Sequence, residues 1–157
     1  MQIFFLDYDQ QLCAQYHCDK HVVNQIKESV QLLSTACRLS GIDVGYKLNH
    51  INHPISIWVR SSIQNYNWLT GLVEALHTEY QYRYGDKVHK SYLVYKTLLV
   101  PNLPDIGLTK FPTVISEDCI VDDPIESYRI FYIKYKLHFA KWKNRSIPEW
   151  IDNLVLI

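Results

Sequence analysis

No stretch of this sequence approaches the roughly 20 consecutive apolar residues that a membrane-spanning helix needs. The opening run, Met1 to Leu6, is apolar but short and carries no basic flank, which disfavours a secretory signal. Four cysteines (13, 18, 37 and 119) in a chain of this size do not read as a disulfide framework, and no secretion signal supports one, so reduced thiols in the cytosol are the expectation. A basic surplus is also missing. Sixteen Lys and Arg balance sixteen Asp and Glu, whereas a protein that tracks long duplex DNA relies on an excess of cations. A small anionic ligand fits this balance better than a long polyanion does.

Several catalytic signatures are absent as well. There is no Walker-type Gly-rich Lys loop, no GxGxxG, no GxSxG elbow and no HExxH. His89-Lys90-Ser91 matches one half of the paired His-x-Ser/Thr of two-histidine phosphoesterases, but no second copy exists. No His-Asp doublet is present, which disfavours the helical metal-dependent phosphohydrolases.

Aromatic residues, by contrast, are abundant. Twelve Tyr and four Trp give large apolar surfaces with polar tips, suited to cores that border polar pockets. The apolar spacing is mostly helical. Val22 or Val23, Ile26, Val30, Leu33 and Cys37 recur at steps of three and four from about Asp19 to Ser40, with Gly41 placed for a left-handed C-terminal cap. His53-Pro54 opens a second helix that runs to Tyr84 and stops at Gly85, with a break expected near Gly71. A third helix spans Ser91 to Leu99. Residues 100–122 hold three prolines and no period, as lids and binding loops do. Asp123-Pro124-Ile125-Glu126 then starts a fourth helix with an apolar stripe from Ile125 to Trp142, and Ser146 to Glu149 starts a last one. Ile3 to Leu6 and Pro112 to Ile115 are candidate strands. The expectation is one mainly α domain over residues 1–157, a helical bundle with irregular loops and at most one short strand pair.

Polar residues gather at four places. Cys13, His17, Cys18, Asp19, Lys20 and His21 have the ligand types and reach of a zinc site, and on one continuous helix Cys13, His17 and His21 share a face. Against a metal, no second Cys/His pair lies elsewhere, and no metal or other cofactor is expected. The favoured reading places Lys20 and His21 at a helix start that welcomes an anion. His53, Arg60 and Asn65, near Trp58, suit either a groove or ordinary capping and solvation. Glu79 through Ser91 is the densest region: Arg83 and Lys90 for phosphate, Tyr82 and Tyr84 for a base, Ser91 and His89 at a helix start, and Glu79 as acid or base. A solvated helix connection explains the same residues. Lys141 to Arg145 around Trp142 is a basic rim or, more blandly, a cationic helix end, with Arg145 the ligand candidate.

Cys18-Asp19-Lys20-His21-Val22-Val23, His53-Pro54 with Trp58 and Arg60, Tyr82-Arg83-Tyr84-Gly85 with His89-Lys90-Ser91, and Lys141 to Arg145 together resemble a small family of phage-encoded proteins, over most of the chain. The resemblance implies a setting in the host cytoplasm: nucleotide metabolism, DNA modification, or counter-defence against nucleotide-signalling immunity. It supplies no mechanism.

Three functions stay open. The leading one is a metal-independent enzyme on a nucleotide phosphate ester, a hydrolase or transferase. His21, His53, His89 and Glu79 would act as acids and bases, and Lys20, Arg60, Asn65, Tyr82, Arg83, Lys90, Ser91 and Arg145 would hold the nucleotide or short nucleic-acid fragment. The second is a protein that sequesters the same ligand without turnover. The third is a helical partner-binding domain, in which the three histidines lie apart.

Overall fold

A helix over residues 63–84 crosses the middle of the molecule with three other helices packed on it, in a computed structural model that describes residues 1–155. Seven α-helices appear among these residues: α1 Gln10–Tyr16, α2 Asp19–Leu39, α3 Pro54–Ser61, α4 Ile63–Tyr84, α5 Lys90–Tyr95, α6 Pro124–Tyr135 and α7 Glu149–Val155. A single 3-10 turn at Glu117–Cys119 punctuates the long irregular connection before α6. No strand forms among the described residues, and none of their helices is long and apolar enough to cross a membrane. The mainly α, single-bundle expectation holds.

Ile3 to Leu6 is buried as expected of a core segment, yet it pairs with no strand. Its backbone polar groups are met by other means, as burial requires. The Phe4 carbonyl accepts the Leu6 N–H at 3.1 Å and the Cys13 thiol at 3.4 Å, and the Leu6 carbonyl accepts Arg129 Nε at 2.9 Å. Phe5 fills the centre, stacked on Phe111 at 4.4 Å and edge-on to Trp58 and Tyr128. The other strand candidate is tied by the Tyr128 hydroxyl, which donates to the Pro112 carbonyl at 2.6 Å.

α1 is capped by Asp9, whose side chain accepts from the Leu12 N–H. It ends because His17 and Cys18 are extended, so Cys13, His17 and His21 do not share one continuous helix. α2 turns out of its last turn at Gly41, whose φ of 86° an L side chain would resist. The break expected near Gly71 falls instead at Ser62 (φ −153°, ψ 142°). There the distant loop competes with the helix: Ile63 N–H donates to the Pro104 carbonyl at 2.8 Å and the Ser62 hydroxyl to the Gly107 carbonyl at 2.6 Å. Gly71 stays helical, and a β-carbon on it would lie 2.9 Å from the Gln10 amide. α5 and α6 are shorter than their apolar stripes suggested. Phe139 and Trp142 therefore approach the core from the segment after α6, where the Trp142 indole donates to the Tyr16 carbonyl at 2.9 Å.

Candidate functional site

α4 carries Glu79 and Arg83 one turn apart, and both side chains are almost fully buried (3% and 0% exposed). Burying charges requires partners, and here the chain supplies them from three segments. Arg83 Nε donates to Glu79 at 3.0 Å, its Nη1 to Asp19 of α2 at 2.9 Å, and its Nη2 to the Gln15 carbonyl of α1 at 3.0 Å. The segment after α6 closes the set. Arg145 grips Glu79 through Nε at 2.9 Å and Nη2 at 2.9 Å, and the carboxylate holds its pKa above the usual guanidinium range. Asp19 also accepts the Lys143 N–H at 2.8 Å. Two carboxylates and two guanidiniums make the cluster formally neutral.

Arg145 differs from Arg83 in being 29% exposed. Its guanidinium lies 3.9 Å from the centroid of the Tyr82 ring, whose hydroxyl donates to the Asn144 carbonyl at 3.0 Å. Nη1 takes no partner among the described residues. Arg145 and Glu79 form one end of a groove of about 380 Å³ between α1 and α4. Gln10, Gln11 and Gln15 line it from α1, and Gly71, Glu74, Ala75 and Thr78 from α4. The groove therefore presents amides, a hydroxyl, carboxylates and one open guanidinium, held on two helices rather than on a loop. A volume in this range accommodates small ligands, commonly about 300 to 1,000 Å³.

Of the residues nominated from sequence, Glu79, Tyr82, Arg83 and Arg145 come together here. Both Glu79 oxygens accept guanidinium donors, so it orients the arginines rather than standing free as a base. Lys20 and His21 adjoin Asp19 on the first turn of α2 but do not line the groove. The others have local work. His53 caps α3, its Nδ1 accepting the Ile55 N–H at 3.2 Å. His89 caps α5 through Nδ1 and donates from Nε2 to the Val23 carbonyl at 3.0 Å. Burial lowers the pKa of both below the ordinary imidazole value, in keeping with Nδ1 as an acceptor. Arg60 donates to the Ile51 carbonyl at 2.8 Å. Asn65 ties the end of α3 to the long loop, donating to Trp58 O and Thr109 Oγ1 and accepting the Thr109 N–H. The Ser91 hydroxyl pairs with that of Tyr46 at 2.9 Å, and Lys90 is exposed.

The Cys/His cluster does not converge, and among the described residues no three His, Cys, Asp or Glu side chains are placed to hold a metal ion. Cys13 is fully buried, and burial pushes its thiol up to about 12. His17, wholly buried, donates from Nδ1 to the Cys13 carbonyl at 2.6 Å and leaves Nε2 unpartnered. Asp19 was read only within the Cys/His cluster and not as a partner of Arg83, and the glutamine face of α1 escaped notice in the sequence, where its signal was three amides in six residues, Gln10, Gln11 and Gln15.

The chain was compared with protein-family models, with curated proteins and with solved structures, and nothing matches it in any of the three.

Proposed function

We propose that the chain binds a nucleotide or short nucleic-acid fragment in the α1–α4 groove, as a binding protein that returns the ligand unchanged. One observation carries this reading: Arg145 is pinned by Glu79 and Tyr82 with Nη1 unengaged at the end of the groove. A guanidinium fixed in this way meets a phosphate at little cost in side-chain freedom. Because the cluster is formally neutral, the attraction is directional hydrogen bonding rather than a strong field. The amides of Gln10, Gln11 and Gln15 supply the paired donors and acceptors that a base or sugar edge needs. The phage resemblance would make such a protein a nucleotide sponge in its host.

Sequestration is favoured over turnover because Glu79 is doubly engaged and His53 and His89 spend Nδ1 on helix caps. A hydrolytic version would need Glu74, a groove carboxylate left 46% exposed, as its base.

The experiment is calorimetric titration with nucleoside monophosphates, the matching nucleosides and inorganic phosphate, followed by chromatography of the recovered ligand. Arg145→Gln is expected to weaken monophosphate binding at least about tenfold, the worth of one charge-assisted hydrogen bond, and to leave nucleoside binding little changed. Gly71→Ala, whose methyl crowds Gln10, is expected to weaken both while preserving or raising stability. Absence of heat with every nucleotide would refute the proposal and leave a partner-binding domain as the better account. A new product lost in Glu74→Gln would replace sequestration by hydrolysis.

A further inference from the structure

Where α2 begins, a second set of donors gathers with no acceptor to meet it. His21, only 6% exposed, lies flat on Phe4 (centroids 4.3 Å apart, planes at 13°) and edge-on to Phe139 at 5.6 Å. Its Nδ1 stands 2.6 Å from the Tyr132 hydroxyl, which already accepts the Cys18 N–H at 2.9 Å. That phenol has its own proton to give, so it donates to Nδ1 and the imidazole proton resides on Nε2, on the opposite side of the ring. Nε2 has no partner among the described residues, and it is not among the buried polar atoms closed off from solvent.

Two ammonium groups share the same aromatic walls. Lys20 Nζ is 5.1 Å from the Phe139 centroid, and Lys136 Nζ is 6.0 Å from the centroids of both Phe4 and Phe139. Neither forms an ion pair among the described residues. The ammonium groups of Lys136 and Lys20 both act on His21, and Asp19, the carboxylate in the same first turn, accepts Arg83 Nη1 and the Lys143 N–H through Oδ1. Cys18, the residue before α2, offers no side-chain acceptor to the first turn of this 21-residue helix, whose dipole adds to the positive character. Asp19 and Glu79 pair Arg83 and Arg145, whereas Lys20 and Lys136 have no carboxylate partner among the described residues.

We infer that His21, Lys20 and Lys136 form an anion site for a phosphoryl group, separate from the α1–α4 groove and independent of what that groove binds. Three donors from two elements suit the several oxygens of a tetrahedral dianion better than a planar carboxylate with two. The shared chemistry is a phosphate dianion, supplied either as free inorganic phosphate or as the terminal group of a phosphomonoester.

The test follows the histidine ring nitrogens by long-range ¹H–¹⁵N spectra while inorganic phosphate is added at constant ionic strength. His21 Nε2 is expected to shift and saturate. The double variant Lys20→Ala/Lys136→Ala is expected to weaken this response at least about tenfold, while Arg145→Gln titrates like the unaltered protein. Lys20 is exposed and Lys136 half-buried, so the variant keeps the core, and the ring spectra of His17 and His77 report that it does. An immobile His21, or a double variant that titrates unchanged, overturns the inference. Phosphate that moves only the Arg145 side-chain resonance overturns it too, while sparing the groove. A repeat with a nucleoside monophosphate identifies the source. A tighter response than with phosphate assigns the site to a phosphomonoester, and an equal one assigns it to the free ion.

Discussion

Lowering the pH from 8 to 5 should strip several kcal/mol from the stability of this fold, through two histidines that the core holds neutral. His17 is wholly enclosed, and burial lowers its pKa to about 4, only partly countered by its hydrogen bond to the Cys13 carbonyl. His21 is lowered to about 3, by burial first and then by the nearby charges of His17, Lys136 and Lys20. In the unfolded chain both titrate near about 6.5. The folded state thus binds protons more weakly than the unfolded state. Its stability is complete above about pH 6.5 and declines as the pH falls toward the two folded values.

At pH 5 each histidine costs roughly 2 kcal/mol relative to pH 8, so the pair costs roughly 4. That is a large share of the roughly 5 to 15 kcal/mol that holds a domain of this kind together. His53, His77 and His89 are also lowered by burial and act in the same direction. Urea unfolding at pH 8, 6.5, 5.5 and 5 would measure the dependence. Between pH 5 and 6 a slope of roughly 2.5 kcal/mol per pH unit is expected from two protons taken up on unfolding. His17→Gln, which keeps a donor for the Cys13 carbonyl, should remove about half of it. A stability that stays level from pH 7 to pH 5, or a variant with undiminished slope, would refute the reasoning.

Arg83→Met should destabilise by roughly 3 to 5 kcal/mol, because it leaves Glu79 buried with one partner and Asp19 without its guanidinium; denaturant titration against Arg83→Met/Glu79→Gln, which should recover part of the loss, checks the cause. Asn65→Leu, which deprives Thr109 N–H and Trp58 O of their partners, should cost roughly 1 to 3 kcal/mol and admit proteolysis within residues 100–122 well before global unfolding. Equal protease resistance in that variant would mean that the loop is held by other means.

What could be read from the sequence was whatever is decided within one turn of chain. Gly41, His53-Pro54 and Asp123-Pro124 each mark a helix end, because a cap is satisfied by residues two or three positions away. The break at Ser62 was not legible, because the groups that hold it, the Pro104 and Gly107 carbonyls, lie some forty residues further on. α1 was missed for the opposite reason: with only Cys13 and Ala14 buried, it has almost no apolar stripe to betray it. The same division runs through the site. The Glu79–Arg83 pair is one helical turn and stood out as a dense region, whereas its junction with Asp19 and Arg145 spans more than sixty residues in each direction. A buried ion cluster is a long-range object, since a charge leaves water only when its partners arrive from elsewhere in the chain. The groove depends on that arrival. Without Glu79, the Arg145 guanidinium, to which the proposed phosphate contact is assigned, would have no fixed direction. On the proposed function, a ligand held by Arg145 should therefore stabilise the segment after α6 against local opening, which hydrogen exchange of that segment with and without nucleotide would measure.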